Sequence, residues 1–483
     1  MSSNNSDSLN MDKKSKYRYL GKNVLLFSIS SFGSKILSFL FVSFYTSVLT
    51  TEQYGTADLV STTSSLLLFF VTLNISDAVV RFALEKKENQ AGIFSYGLKV
   101  ILTGLLIFAI VLTAFSLINP IEWDWYLYLL LYLTVFANAL YQITTYYLRA
   151  IDEVKSVAVS GIMNTALTII SNIILLLYLK TGVIGYLSSM IIGSFLSSFY
   201  AFTIIVKDKK FNCHILCDNH TKKIMLSYSI PLIFNGVSWW INNSLDRYLL
   251  SFFCGVSATG IYAVSSKIPV ILQTFQTIFS EAWSLSIVQQ FDSEDKDGFF
   301  TNMYNLYNAA SVLCASGLIL FNVLIAKLLF HNGFFEAWQY SSLLVVSTIF
   351  GGIAGMIGSV FSAIKKTSIY ALSTIISALI NTILNLLLIP RYGSLGAAVA
   401  TLISFIFIWG IRYFYAMKYV KWKINLRRDV FAYFLLVLQL ILDHSDNHLY
   451  VGQVIIIVVL MTMYRDVIVK IIEMIKRKML RSK

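Results

Sequence analysis

The feature that most constrains this chain is a succession of long apolar stretches, near residues 24–46, 56–79, 93–117, 125–148, 157–179, 184–206, 224–248, 259–287, 304–329, 338–363, 368–389, 396–416, 430–442 and 449–464. A helix needs about 20 mostly apolar residues to cross a hydrocarbon core roughly 30 Å thick. Lipid offers the backbone no hydrogen bonds, so only helices and closed barrels can span it. Barrel strands alternate polar and apolar residues over about ten positions, whereas these runs are continuous. They predict helices. Composition agrees: of 483 residues 57% are hydrophobic and 13% charged, with a mean hydropathy of +0.70, against about 45–50% apolar and 25% charged in soluble domains. The expected fold is all-α, a polytopic membrane protein of about 14 transmembrane helices, the thirteenth of them short.

Orientation follows from the cations, since loops on the cytoplasmic side are enriched in Lys and Arg. With the N-terminus inside, 30 of the 38 Lys and Arg fall in cytoplasmic segments, 3 in outer loops (Lys180, Arg247, Arg391) and 5 in spans (Lys35, Lys99, Lys267, Lys327, Arg412). Both termini are therefore expected in the cytoplasm. An anionic inner leaflet accounts for the net charge of +13 without nucleic acid. The polar start "MSSNNSDSLNMDKKSK" predicts a disordered tail over residues 1–20 and no cleavable signal peptide. Cys213, His214, Cys217 and His220 cluster in a basic loop, but their spacing matches no zinc pattern, and no metal is expected.

Two phrases recur: "LLLYLKTGVIG" at 175–185 and "LLLIPRYGSLG" at 386–396, and, less closely, "YGTADLV" at 54–60 and "TGIYAVS" at 259–265. The nearly constant offset predicts a duplication, an N-lobe (21–206, spans 1–6) and a C-lobe (224–417, spans 7–12), pseudo-symmetric six-helix units. A cytoplasmic loop (207–223) joins them, and residues 418–483 add spans 13 and 14 with a basic tail. An even repeat keeps both lobes in the same orientation, a plan that transporters use around a site near the midplane. Chance matching of leucine-rich spans is the alternative.

Ionisable residues inside spans are costly and face protein or a watery cavity. Lys35 lies deep in span 1, and Lys267, Thr274 and Glu281 recur every seven residues in span 8, next to Pro269. Asn138, Gln142, Thr145 and Arg149 form a stripe on span 4, and Asn235, Trp239, Asn242 and Asp246 on span 7. Such stripes line a cavity or join helices. Arg81, one turn after Asp77, could pair with it or meet a ligand. Lys99, Lys327 and Arg412 lie near span ends, where snorkelling is the natural reading. The interior thus holds several cations and few acids, which suits an anionic ligand such as a phosphate.

The segments "GSKILSFLFVSFYTSVLTTEQYGTADLV", "DAVVRFALEKKE", "YLRAIDEVKSVAVSGIMNTALTIISNIILLL", "DRYLLSFFCGVSATGIYAVSSKIPVIL" and "NTILNLLLIPRYGSLGAAVAT" resemble the bacterial polysaccharide-export flippases. These are Wzx-type members of the multidrug/oligosaccharidyl-lipid/polysaccharide (MOP) exporter superfamily. The resemblance runs from about residue 20 to residue 470. It implies two six-helix lobes plus two C-terminal helices in the bacterial cytoplasmic membrane. It further implies translocation of undecaprenyl-pyrophosphate-linked oligosaccharide to the outer leaflet for O-antigen or capsule. The cavity cations would map to Lys35, Arg81, Arg149 and Lys267, the cavity lining to Asn138, Gln142, Asn235 and Asn242, and a coupling acid to Glu281 or Asp246. No cofactor is implied beyond a coupling ion, H+ or Na+. Membrane lipids, a polysaccharide polymerase and a chain-length regulator are the implied partners.

Two other classes are weighed against this. A membrane polymerase would carry a sizeable catalytic outer loop, and every expected outer loop here is short; no Ser-His-Asp, metalloprotease or phosphate-loop signature is present. "FDSEDKDG" has Ser293 and Tyr304 where a calcium loop needs acids. A multidrug antiporter of the same superfamily would take cations, which a cationic interior disfavours.

Overall fold

The computed structural model describes residues 35–85, 89–207, 217–289, 293–296, 298–364, 366–445 and 449–469, and among them it contains helices and no strand. In chain order the helices are α1 (Val42–Val48), α2 (Thr51–Thr72), α3 (Ile75–Glu85), α4 (Gln90–Ile118), α5 (Trp125–Ala150), α6 (Val154–Asn172), α7 (Gly182–Lys207) and α8 (Asn219–Cys254). They continue as α9 (Val256–Ser265), α10 (Pro269–Gln289), α11 (Phe299–Leu320), α12 (Asn322–Leu329), α13 (Trp338–Ala363), α14 (Thr367–Ala416), α15 (Leu426–Asp443) and α16 (Tyr450–Met463). Among the described residues, 9 helices are long and apolar enough to cross a membrane. One of them, α14, holds spans 11 and 12 on either side of Gly393, whose backbone is non-helical (φ 54°, ψ −133°).

Three expected spans are broken where hydropathy shows nothing. Span 2 divides into α2 and α3 at Leu73 and Asn74, both with positive φ (48° and 52°). The Asn74 side chain then donates to the Asp77 carboxylate at 2.6 Å and so fixes the start of α3. Span 8 divides at a turn over 266–268, after which Pro269 opens α10, a first-turn position where its missing N–H costs nothing. Span 9 divides into α11 and α12 at Phe321.

The described residues form two compact units, one comprising 35–41 and 56–237, the other 42–55 and 238–469. In the first unit α3, α4 and α5 enclose an apolar core that includes Val79, Phe82, Phe94, Ile143 and Tyr147, with the Phe94 and Tyr147 rings 4.5 Å apart. The outward face of α4 exposes Leu106, Ile107, Ile110 and Val111 at 57–65%. In water such a face would be unstable, and lipid is its natural solvent.

In the second unit α13 is the central helix, 72% buried over its most apolar window, and packs against α10, α11 and α14. Buried polar rungs fasten α15 to α11 and α12, and Asn308 on α11 also donates to the Tyr464 hydroxyl just after α16 at 3.1 Å. The Tyr433 hydroxyl donates to Asn308 at 2.8 Å, Ser316 donates to Gln439 at 2.7 Å, and Asn322 at the start of α12 donates to Asp443 at 2.9 Å. The C-terminal pair is thereby part of this unit. Hydrogen bonds between apolar helices resist sliding in a way that Leu contacts cannot.

Arg412 differs from the snorkelling expectation. It is 0% exposed, with Nε donating to Ser373 Oγ at 2.9 Å, Nη1 to the Ala354 carbonyl at 2.8 Å, and Nη2 to Thr374 Oγ1 at 2.7 Å and the Tyr370 carbonyl at 3.2 Å. Its guanidinium stacks 4.1 Å from the Tyr370 ring. Five fixed donors let Arg, unlike Lys, bridge α13 and α14 at four points.

The repeated phrases agree at their glycines and differ at their cations, since Lys180 has a φ of 50° outside a helix whereas Arg391 is helical. Gly182 and Gly393, equivalent by the offset of the repeat, both have positive φ, 57° and 54°, a conformation natural to glycine. At the second glycines a Cβ would meet Leu175 Cβ at 3.1 Å (Gly185) or the Leu388 carbonyl at 2.5 Å (Gly396), so both mark close approaches of the returning helix. Lys180 and Arg391 are exposed. The looser echo goes further, because its two copies touch within the second unit. A Cβ on Gly55 would lie 2.2 Å from the Val256 carbonyl, and one on Gly260 would lie 2.0 Å from the Thr51 carbonyl. The offset of 205 that relates Gly55 to Gly260 also relates Thr51 to Val256.

Candidate functional site

Two neighbouring polar cavities lie in the second unit. The first, about 340 Å³, is lined by Asp246 and Arg247 on α8, Tyr262 on α9, Lys267 in the turn before α10, Gln273 on α10 and Thr401 on α14. The second, about 560 Å³, is lined by Trp239, Gln276, Thr277, Tyr307 and Gly355 among others, and it shares Asn243, Gln273, Thr348 and Phe405 with the first. Their common wall makes them one polar tract with cations at one end.

The local sequence explains this placement. The turn over 266–268 frees Lys267 from the helical period, so the expected line through Lys267, Thr274 and Glu281 does not hold. Thr274 is 3% exposed and turns its hydroxyl to the Val270 carbonyl at 2.7 Å. The cavity face of α10 is instead Gln273, Gln276, Thr277 and Ser280, the i, i+3, i+4, i+7 positions of one helical face. The side chain of Glu281 lies outside the described part of the structure.

Lys267 is half-buried, its Nζ 6.0 Å from the centre of the Tyr54 ring. Asp246 is 3% exposed and accepts a 2.7 Å hydrogen bond from the Tyr262 hydroxyl. Arg247, placed by the sequence with the outer loops, instead lines this cavity beside Asp246, the last residue of the span 7 stripe. With Arg247, Lys267 and Asp246 on its wall, the smaller cavity carries a formal excess of one positive charge. A desolvated wall of that sign favours anions over cations.

The other candidates are placed elsewhere. Asn242 is 1% exposed and joins helices, donating to the Thr374 and Ser238 carbonyls and accepting from Ser377 at 3.0 Å. In the first unit Asn138 accepts from Ser194 at 3.0 Å, linking α5 to α7. Gln142 Oε1 and Asn235 Oδ1 are buried and meet no hydrogen-bond donor among the described residues. Arg81 pairs with Glu85 at 3.3 Å and stacks over Tyr228 at 4.5 Å, while Asp77 is held by Asn74; the expected pairing of Asp77 with Arg81 is replaced by these two contacts. Arg149 is exposed, over Tyr146 at 5.2 Å, and within electrostatic reach of Asp77. Lys35 is half-buried at the start of the described chain. The two cavities bring together Lys267 and Asp246 of the predicted set, without Lys35, Arg81 or Arg149. No group of three or more His, Cys, Asp or Glu that could hold a metal ion occurs among the described residues. Cys213 and His214 lie outside them.

Comparison with known proteins places the chain. Residues 20–284 match the family model described as polysaccharide biosynthesis protein. The chain belongs to that family. An uncharacterized membrane protein of Methanocaldococcus jannaschii is 24% identical over 83% of this chain and 99% of its own length. A probable low-salt glycan biosynthesis flippase of Haloferax volcanii is 25% identical over 38% of this chain and 39% of its own. Among solved structures, the lipid II flippase MurJ in an inward closed conformation superposes with a TM-score of 0.70 at 19% identity, covering 93% of this chain and 99% of that one. An inward-facing multidrug resistance transporter of the MOP superfamily gives 0.65 at 13% identity, over 81% and 97%. The fold is therefore that of the MOP superfamily of membrane transporters.

Proposed function

We propose that this protein flips a polyprenyl-diphosphate-linked oligosaccharide, of the undecaprenyl type, from the inner to the outer leaflet of a bacterial cytoplasmic membrane, with both termini in the cytoplasm. The cavity that brings Arg247 and Lys267 together carries the proposal. A diphosphate is the part of such a lipid that a low-dielectric slab repels most, and two fixed cations offset that cost. The lipid chain stays in the bilayer while the head group passes by alternating access.

Asp246 is the coupling group in this reading. It shares the wall of the smaller cavity with Arg247 and Lys267, so loading it with H+ or Na+ changes the net charge that the diphosphate meets. An ion bound there in one state and released in the other biases the conformational equilibrium by its differential affinity. The surface glycan served is O-antigen or capsule, with polymerase and chain-length regulator acting downstream. Kinship with a named glycan flippase supports this reading over a multidrug antiporter, as does the positive cavity.

The test is export in cells lacking the gene. Lys267→Ala and Arg247→Ala should each lower surface polysaccharide at least about tenfold, as expected for losing one charge contact of roughly 1.5–3 kcal/mol. Lipid-linked oligosaccharide should accumulate while the protein is made normally. Full export by both variants would overturn the assignment.

A further inference from the structure

We propose that the larger cavity of the second unit is a subsite for the sugar next to the diphosphate, and that it selects an uncharged sugar. The proposal rests on the function proposed above, since it assumes that the diphosphate sits with Arg247 and Lys267.

Four observations carry it. The larger cavity adjoins the cationic one through Asn243 and Gln273, as a sugar adjoins its diphosphate. Among the described residues its lining contains no Lys, Arg, Asp, Glu or His, so a carboxylated sugar would be desolvated there with no counter-charge from them. Trp239, Tyr307 and Phe405 are among its lining residues, and of these Trp239 is the partly exposed ring, a partner for the apolar C–H faces of a pyranose. Gln276 Nε2 donates to the Thr348 carbonyl at 3.1 Å and Asn243 Nδ2 to the Trp239 carbonyl at 2.7 Å, which fixes both amides. An amide nitrogen carries two N–H groups, so each side chain keeps a donor as well as its carbonyl oxygen, and a sugar hydroxyl can use either.

Tyr307 closes the inner wall, 0% exposed, with its hydroxyl beside Ser280. At about 560 Å³ the cavity falls in the range of small-molecule sites, roughly 300–1,000 Å³, and admits a monosaccharide or disaccharide.

Gly355 provides the test, because a Cβ there meets nothing within 4 Å. Gly355→Leu therefore fills the cavity without displacing its wall, and leucine favours the helix over glycine. The full-length protein is titrated in nanodiscs with three probes: bare polyprenyl diphosphate, the same lipid carrying one N-acetylhexosamine, and the same lipid carrying one uronic acid. The N-acetylhexosamine lipid should bind about tenfold tighter than the bare one, a gain within reach of one or two new hydrogen bonds and a ring contact. The uronic acid lipid should gain nothing. Gly355→Leu should erase the gain and leave bare-lipid binding unchanged, whereas Lys267→Ala should weaken all three probes.

A thermal unfolding scan in the same nanodiscs checks that the leucine variant is folded, and Thr277→Leu, at an exposed position on the same wall, serves in its place if it is not. An equal gain for the uronic acid lipid, or a gain that survives filling the cavity, overturns the subsite while leaving the flippase reading in place. Failure of the wild type to bind bare polyprenyl diphosphate overturns both.

Discussion

Replacing Arg412 by Lys should destabilise the protein more than replacing it by Met, the reverse of what side-chain similarity suggests. Arg412 is 0% exposed and donates to Ser373 Oγ, Thr374 Oγ1 and the carbonyls of Ala354 and Tyr370 at 2.7–3.2 Å. Those acceptors lie on two helices, and a lysine ammonium is a single point that reaches about half of them. Losing two charge-assisted hydrogen bonds at roughly 1.5–3 kcal/mol each, with some relaxation, gives a cost of about 3 kcal/mol, because the charge stays buried. Methionine removes the charge together with its desolvation cost. It orphans little, since the Ser373 and Thr374 hydroxyls already donate to the Tyr370 carbonyl at 2.8 and 2.9 Å. A cost nearer 1–2 kcal/mol follows, chiefly from packing. Denaturant or thermal unfolding of the purified protein in one detergent reads the order directly. A lysine variant as stable as the wild type would refute the cage and restore the snorkelling reading.

Other outcomes follow from the same geometry. Gly260→Val places a Cβ where the Thr51 carbonyl lies 2.0 Å away, so the helices must separate by about 1 Å at an overpacking cost of roughly 1–3 kcal/mol. In a cysteine-free background, Thr51→Cys with Ser257→Cys should cross-link readily, since the hydroxyls they replace are 2.7 Å apart; adding Gly260→Val should suppress the cross-link, and unchanged cross-linking would contradict the close crossing. Asp246→Asn keeps an acceptor for the Tyr262 hydroxyl and removes the negative charge beside Arg247 and Lys267. In proteoliposomes it should bind polyprenyl diphosphate at least as tightly as wild type but lose the response of transport to an ion gradient. Weaker binding with coupling retained would remove Asp246 from that role.

Much of the fold was legible because its determinant is local. A run of twenty apolar residues identifies a span wherever its neighbours go, and the repeated Leu-Leu-Leu phrases located Gly182 and Gly393, which both hold a positive φ. The breaks at Leu73–Asn74 and Phe321–Asn322 were hidden, since one Asn barely lowers the hydropathy of a long apolar run and hydropathy does not register a positive φ. Pro269 did signal the third break, yet the seven-residue line from Lys267 to Glu281 was drawn across it, which put the cavity face one residue off. Arg412 was misplaced because distance from a span end says nothing about whether a neighbouring helix closes the route to water. For Arg247, assignment by side of the membrane obscured its position next to Asp246, the residue that most clearly belonged to the site.

Transport in a purified system is the measurement that bears most directly on the central claim. Proteoliposomes containing the full-length protein and a fluorescent polyprenyl-diphosphate-linked sugar would be followed with a membrane-impermeant quencher. Wild-type protein should speed the loss of protected fluorescence over protein-free vesicles, and the double variant Arg247→Ala, Lys267→Ala should fall to the protein-free rate. Transport by that double variant at the wild-type rate, or a wild type that moves a cationic dye and leaves the lipid in place, would contradict the account.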